Sequence, residues 1–213
     1  MRWEQERRDW RSVGTEYRLG PMRSLVAPAV ALIVAFAAPP AAPFEGTVTF
    51  TTDRGTTLYY AIRGGMARMT VSGEGVVAMI IDPKRRLVTF VLHTGRKYIE
   101  RPMPDTTARD SVTLTDTGKG EVVAGVKCET WHVSAPKTAY DVCAASGMGG
   151  FFPPMRSSTD AQPAWAQQMR NDFFPLKVTD GAGKVLLLAT KIERKTLDPS
   201  LFVVPAGYTK MEM

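Results

Sequence analysis

The sequence predicts a mainly β domain of short antiparallel strands, interrupted by one helical insertion. Three observations lead there. Runs of five to eight residues alternate apolar with polar and are separated by turns marked with Gly or Pro. The two cysteines fall in one segment, Gly125–Ala145, that reads as a hairpin. One stretch after that hairpin carries helical rather than strand spacing.

The N-terminal portion is set apart by composition. Leu25–Ala38, LVAPAVALIVAFAA, is apolar and led by Arg23, and no charge occurs from Ser24 to Phe44. A membrane span needs about 20 apolar residues, and this run fits the apolar core of a secretory signal instead. Ala35-Phe36-Ala37 is the best small-x-small cleavage match, so residues 22–37 read as a signal peptide and 38–213 as the mature domain. Met22-Arg23-Ser24 would open a complete signal; a start there leaves residues 1–21 untranslated, and a start at Met1 makes them a disordered extension. The apolar run gives the protein an oxidising destination, the periplasm or cell envelope. Loss of everything before Ala38 removes six Arg and four acidic residues and leaves a net charge of +4. So modest a charge on an exported chain excludes nucleic acid as the expected partner.

The strands follow in order. Phe44–Thr51 points Phe44, Val48 and Phe50 one way and Glu45, Thr47, Thr49 and Thr51 the other. Asp53-Arg54-Gly55 turns into Thr57–Arg63, and Gly64-Gly65 turns into Met66–Ser72. Val76–Ile81 is apolar on both faces, so it is covered on both sides or looks into an apolar cavity. Asp82-Pro83-Lys84 turns into Leu87–Leu92, and His93–Arg96 turns into Lys97–Arg101, which Pro102 and Pro104 end. Val112 and Leu114 alternate with polar neighbours before a turn at Thr117–Gly120, and Glu121–Ala124 leads into the cysteine segment.

In that segment two runs of strand character flank Ser134–Lys137, where Pro136 pre-sets a turn. Folding about Ala135-Pro136 sets Val133 opposite Thr138, Trp131 opposite Tyr140 and Cys128 opposite Cys143. Directly opposed residues have Cβ atoms about 4.5–5.5 Å apart, close to disulfide range. In an oxidising compartment the pair makes one bridge. Residues 147–155 are then irregular and apolar. Within the insertion at 147–172, residues 159–172 form the predicted helix, with Ala161, Ala164, Trp165, Gln168 and Met169 at helical spacing. Phe173–Thr179 and Lys184–Arg194 form a last hairpin about Asp180–Gly183, and LDPSLFVVPAGY closes the chain as a turn and an extended tail.

Catalytic patterns are absent from the sequence. There is no G-x-S-x-G elbow, H-E-x-x-H helix, phosphate loop or dinucleotide fingerprint, and the chain has two His. The expectation is a protein that is not an enzyme and needs no cofactor. Cys128, His132 and Cys143 are the one candidate metal set, and the disulfide competes for both thiols. Met66 and Met69 fall on opposite strand faces and read as packing. The candidate site is apolar. Val77, Met79, Ile81, Val88, Phe90 and Leu92 would line one wall of a sheet. Phe151, Phe152, Trp165, Met169, Phe173 and Phe174 would either cap the core or lid an apolar cavity.

FEGTVTF, AGVKCETWHV with DVCAASG, FFPLKV and the closing LDPSLFVVPAGY resemble an uncharacterised domain-of-unknown-function family of exported bacterial proteins. That family is similar to the LolA/LppX lipoprotein-carrier superfamily. The resemblance implies an open, strongly curved antiparallel half-barrel whose helices lid an apolar cavity. It implies, by analogy, a lipid or lipoprotein acyl chain as ligand and other envelope proteins as partners. True carriers open with a helix, whereas here a strand follows the signal at once. The alternatives are an interaction module with a filled core, or a metal-binding envelope protein.

Overall fold

The computed structural model describes residues 43–72, 77–103, 112–136, 138–153, 166 and 173–212, all within the compact unit Ala41–Met213. Its strands are β1 (Gly46–Thr52), β2 (Thr57–Arg63), β3 (Met66–Val71), β4 (Val77–Asp82), β5 (Leu87–Leu92) and β6 (Lys97–Pro102), followed by β7 (Thr113–Val123), β8 (Val126–Ala135), β9 (Thr138–Ser146), β10 (Phe173–Asp180), β11 (Val185–Arg194) and β12 (Thr209–Lys210). They form a single open curved sheet in the order β12-β6-β5-β4-β3-β2-β1-β11-β10-β9-β8-β7. Two meanders, β1–β6 and β7–β11, are joined where β1 pairs antiparallel with β11, and only β12, beside β6, runs parallel.

The ladders explain the curvature. Among β1–β6 the registers run without a shift. From β1 onward through the other half, shifts occur at Thr49/Phe50, Val178/Thr179, Pro175/Lys177 and Asp116/Lys119. A bulge bends its strand and increases local twist, so this half supplies most of the bending. Close approach matters at Gly46, where an added Cβ would lie 2.0 Å from the Glu193 carbonyl oxygen.

Register carries the alternation across strands. Val48 faces Tyr60, Tyr60 faces Met69, Met69 faces Met79 and Met79 faces Phe90. A parallel row runs Ile62, Ala67, Ile81, Val88. The main core lies on this face, and Val48, Phe50, Tyr60 and Ile81 are at most 1% exposed. Full burial of such side chains contributes about 1.5–3 kcal/mol each.

The other face of β4 explains its continuous apolar sequence. Ala78 and Ile80 join Val91 in a second, smaller cluster packed by Val204 and Tyr208 of the C-terminal tail. The tail is therefore more structured than a turn and an extended end. Pro199–Phe202 is a 3-10 helix, capped by Asp198, whose side chain accepts from Ser200 N at 2.8 Å. Arg68 Nη1 donates to the Leu201 carbonyl at 2.9 Å, Arg63 Nη1 donates to that of Leu197, and His93 Nδ1 lies 2.7 Å from Tyr208 Oη.

Three further expectations are corrected. The Cys128–Cys143 bridge is present, but the hairpin register differs by two residues. Ala135 pairs with Thr138, Trp131 with Val142 and Val133 with Tyr140. β8 runs on through Ser134 and Ala135, which were expected in the turn, so the connection to Thr138 is shorter than expected. A shift of two keeps every side chain on its face, so Cys128 still reaches Cys143 as a diagonal neighbour, Cα to Cα 5.3 Å. The expected turn at Thr117–Gly120 is a bulge inside the continuous strand β7, with Thr117 Oγ1 donating to the Thr130 carbonyl. The helical insertion at 147–172 is not borne out where it is described. Residues 147–153 hold no helix, and Gly147 and Gly149 take φ of 74° and 87°, outside the helical region. Ala166 alone of residues 154–172 is described, and it is helical and buried; the rest of the helix predicted at 159–172 lies outside the described residues.

Candidate apolar-ligand site

The site is built on the alternating faces of β1 and β2, which deliver Phe50 and Tyr60 to the core face. Residues after β9 return over them. The Phe44 amide donates to the Gly147 carbonyl at 3.3 Å, and the chain then carries Phe151 and Phe152 into the interior. Phe151 stacks on Tyr60 with centroids 5.3 Å apart and planes at 20°. It meets Phe50 and Phe174 edge-on at 5.8 and 5.5 Å. Each such pair contributes about 0.5–1.5 kcal/mol beyond its buried area.

A buried polar group helps pin this segment. The Tyr60 hydroxyl accepts from the Phe152 amide at 3.0 Å and donates to the Phe152 carbonyl. Burial pushes the Tyr60 phenol well above its ordinary pKa, and the hydrogen bond to Phe152 opposes the shift in part. The hydroxyl thus stays neutral and holds both backbone groups of one residue. Gly147–Pro153 is a closing segment laid on the core face and latched at Tyr60.

The residues predicted for a ligand wall divide into two groups. Met79, Ile81 and Val88 are buried in the main core, while Val77, Phe90 and Leu92 are half-buried on the same face. Of the predicted lid, Phe151, Phe152 and Phe174 fill the interior. Phe173 lies half-buried against Trp131, centroids 5.4 Å apart. Trp165 and Met169 lie outside the described residues. Sequence reasoning left Phe50 and Tyr60 out of the site. The signal was present in their alternation, but nothing local showed that Phe151 would stack on Tyr60, ninety-one positions away.

Cys128 and Cys143 are both in the disulfide, which removes both thiolates from the candidate metal set. His132 is instead paired with Asp141, Nδ1 to Oδ1 2.7 Å, on an exposed surface. Among the described residues no three His, Cys, Asp or Glu side chains cluster as metal ligands.

A cleft of about 450 Å³ opens at the β7–β9 end of the sheet. Gly120, Val122, Ala144 and Phe173 line it, with Glu121, Lys127 and Glu129 supplying charge. Lys177 bridges Glu121 at 3.0 Å. Trp131, edge-on to Phe173, has a buried Nε1–H without a hydrogen-bond partner among the described residues.

This geometry defines a class: a single open, curved, mainly antiparallel sheet whose core face is covered in part by a latched segment of the same chain. The chain belongs to the DUF4412 family, a domain of unknown function, whose model matches residues 47–208. No curated protein matches it. Among solved structures it is similar to PNGF-II in two crystal forms, C2 and P21, each with a TM-score of 0.48 at 14% identity. The matches cover 79% and 80% of this chain and 31% of PNGF-II, so this chain spans about a third of that protein's length.

Proposed function

We propose that the protein is an exported cell-envelope protein that buries the apolar chain of a lipid or lipoprotein on its concave face, without catalysis. The observation that carries this reading is the manner of closure. Over the described interior, the concave face of the sheet is covered by the short segment Gly147–Pro153, pinned through the side chain of Tyr60. Displacing that segment would uncover Phe50, Tyr60 and Phe174, continuous with the half-buried Val77, Phe90 and Leu92. An acyl chain would replace the phenylalanine contacts, each buried CH₂ contributing about 0.8 kcal/mol. The disulfide accords with an envelope role.

A second reading is an interaction module whose core is simply full. It is favoured by the complete burial of Phe50, Tyr60, Phe151 and Phe174, which already pack one another. A spin-labelled stearate titration separates the two. Lipid carriage predicts saturable uptake near one per chain, strengthened by Tyr60→Phe. No uptake by folded wild type or by folded Tyr60→Phe supports the filled module.

A further inference from the structure

The two edges of the sheet are finished differently. β6 is covered by β12, and the Thr209 and Met211 amides donate to the Arg96 and Tyr98 carbonyls at 2.9 Å. At the other edge, among the described residues, β7 has a strand only on its β8 side. Thr113–Val122 are exposed on both faces of β7 apart from the half-buried Thr117. Such an edge is a template for a further strand. We infer that β7 pairs antiparallel with β7 of a second copy of this chain, about a two-fold axis at Gly120. This stands apart from the acyl-binding reading.

Symmetry and charge select the register. A two-fold axis perpendicular to a sheet keeps every side chain on its face, so one residue must lie opposite its own copy. Centred on Lys119 or on Glu121, the pairing sets like charges opposite, which is destabilising. Centred on Gly120, it sets Lys119 of each copy opposite Glu121 of the other, and Val122, 63% exposed, opposite Gly118. Lys177, 3.0 Å away, holds the Glu121 carboxylate in place on that face. The backbone agrees. The Thr130 carbonyl faces β7, since it accepts from Thr117 Oγ1, and Thr130 is the register partner of Lys119. Lys119 therefore turns its backbone groups inward, and Gly120 turns its own outward, where two copies exchange N–H···O=C bonds. Lys119 and Glu121 then form non-hydrogen-bonded pairs, whose side chains lie closer. The bulge at Asp116/Lys119 bends the strand and confines the pairing to Gly118–Val122, so the dimer is weak, and its closed symmetry uses up the edge.

Sedimentation equilibrium of the protein, purified from the cells that express it, tests the pairing. Wild type should show a monomer–dimer equilibrium that weakens with added salt. Lys119→Glu and Glu121→Lys each set like charges opposite at two places and should weaken self-association roughly tenfold. Mixed in equal amounts, the two variants should associate with each other about as tightly as wild type does with itself, because every facing pair is again of opposite sign. On wild type alone, exchange of the Gly120 amide with solvent should slow as protein concentration rises, whether or not the variants fold. Wild type that stays monomeric at millimolar concentration overturns the inference. So does a dimer in which Gly120 exchange ignores concentration, or one that both folded variants leave unchanged.

Discussion

Replacing Tyr60 with Phe removes one oxygen and keeps the ring. Tyr60 is 1% exposed and Phe152 is 8% exposed, so water does not reach the groups left behind. The change strands the Phe152 amide, now paired at 3.0 Å, and the Phe152 carbonyl. Each stranded group costs about 1–3 kcal/mol, giving about 2–6 kcal/mol together, and the retained ring keeps the cavity contribution small. With a urea slope of about 2 kcal/mol per molar, the unfolding midpoint should fall by about 1–3 M. If the segment detaches before the sheet unfolds, the global loss is limited to the free energy holding it. The Phe152 amide should then exchange with solvent orders of magnitude faster, while amides in β2 and β3 stay protected. An unchanged urea midpoint together with unchanged exchange at Phe152 would refute the latch.

Four further outcomes follow from the same geometry. Burial holds the Tyr60 phenol protonated when folded, while the unfolded chain ionises above about pH 10; the folded state then binds more protons, so stability present below pH 10 falls above it by up to about 1.4 kcal/mol per unit. Urea midpoints from pH 9 to 11 should decline less steeply in Tyr60→Phe than in wild type. Gly46→Ala drives a methyl into the Glu193 carbonyl and should cost about 1–3 kcal/mol or more by parting β1 from β11, read by thermal unfolding. Replacing both Cys128 and Cys143 with Ser should cost up to about 3 kcal/mol for a separation of 15, less because β8 and β9 are paired locally, read by urea unfolding against the oxidised protein. Asp198→Ala removes the acceptor for Ser200 N and should cost about 1 kcal/mol by the same measurement.

The strand layout was legible because period-two alternation and turn residues are local. Thr57–Arg63 and Leu87–Leu92 coincide with β2 and β5 end to end. The disulfide partners were legible because two cysteines in one hairpin leave one pairing. Register was not, since it depends on whether Ser134 and Ala135 extend the strand or join the loop, and their composition permits either. Thr117-Gly118-Lys119-Gly120 has the composition of a turn, yet Gly118 at φ 65° serves a bulge as well as it serves a reversal. The apolar wall on β4 and β5 was taken from alternate positions of two nearly all-apolar runs, and the structure keeps those positions on one face. Phe151 and Phe152 were read as a cap or lid, but their partner Tyr60 was illegible, because they reach it only through long-range folding. The tail carried a similar ambiguity. VVPAGY looks extended, and only the exposed apolar back of β4 gives Val204 and Tyr208 something to cover.

Native mass spectrometry of the protein, purified without detergent from the cells that express it, tests the central claim most directly. Acyl binding predicts a stoichiometric extra mass that denaturation releases as a lipid. A clean mass matching the disulfide-bonded chain alone, in protein that also fails to take up spin-labelled stearate, would contradict it and leave the filled interaction module.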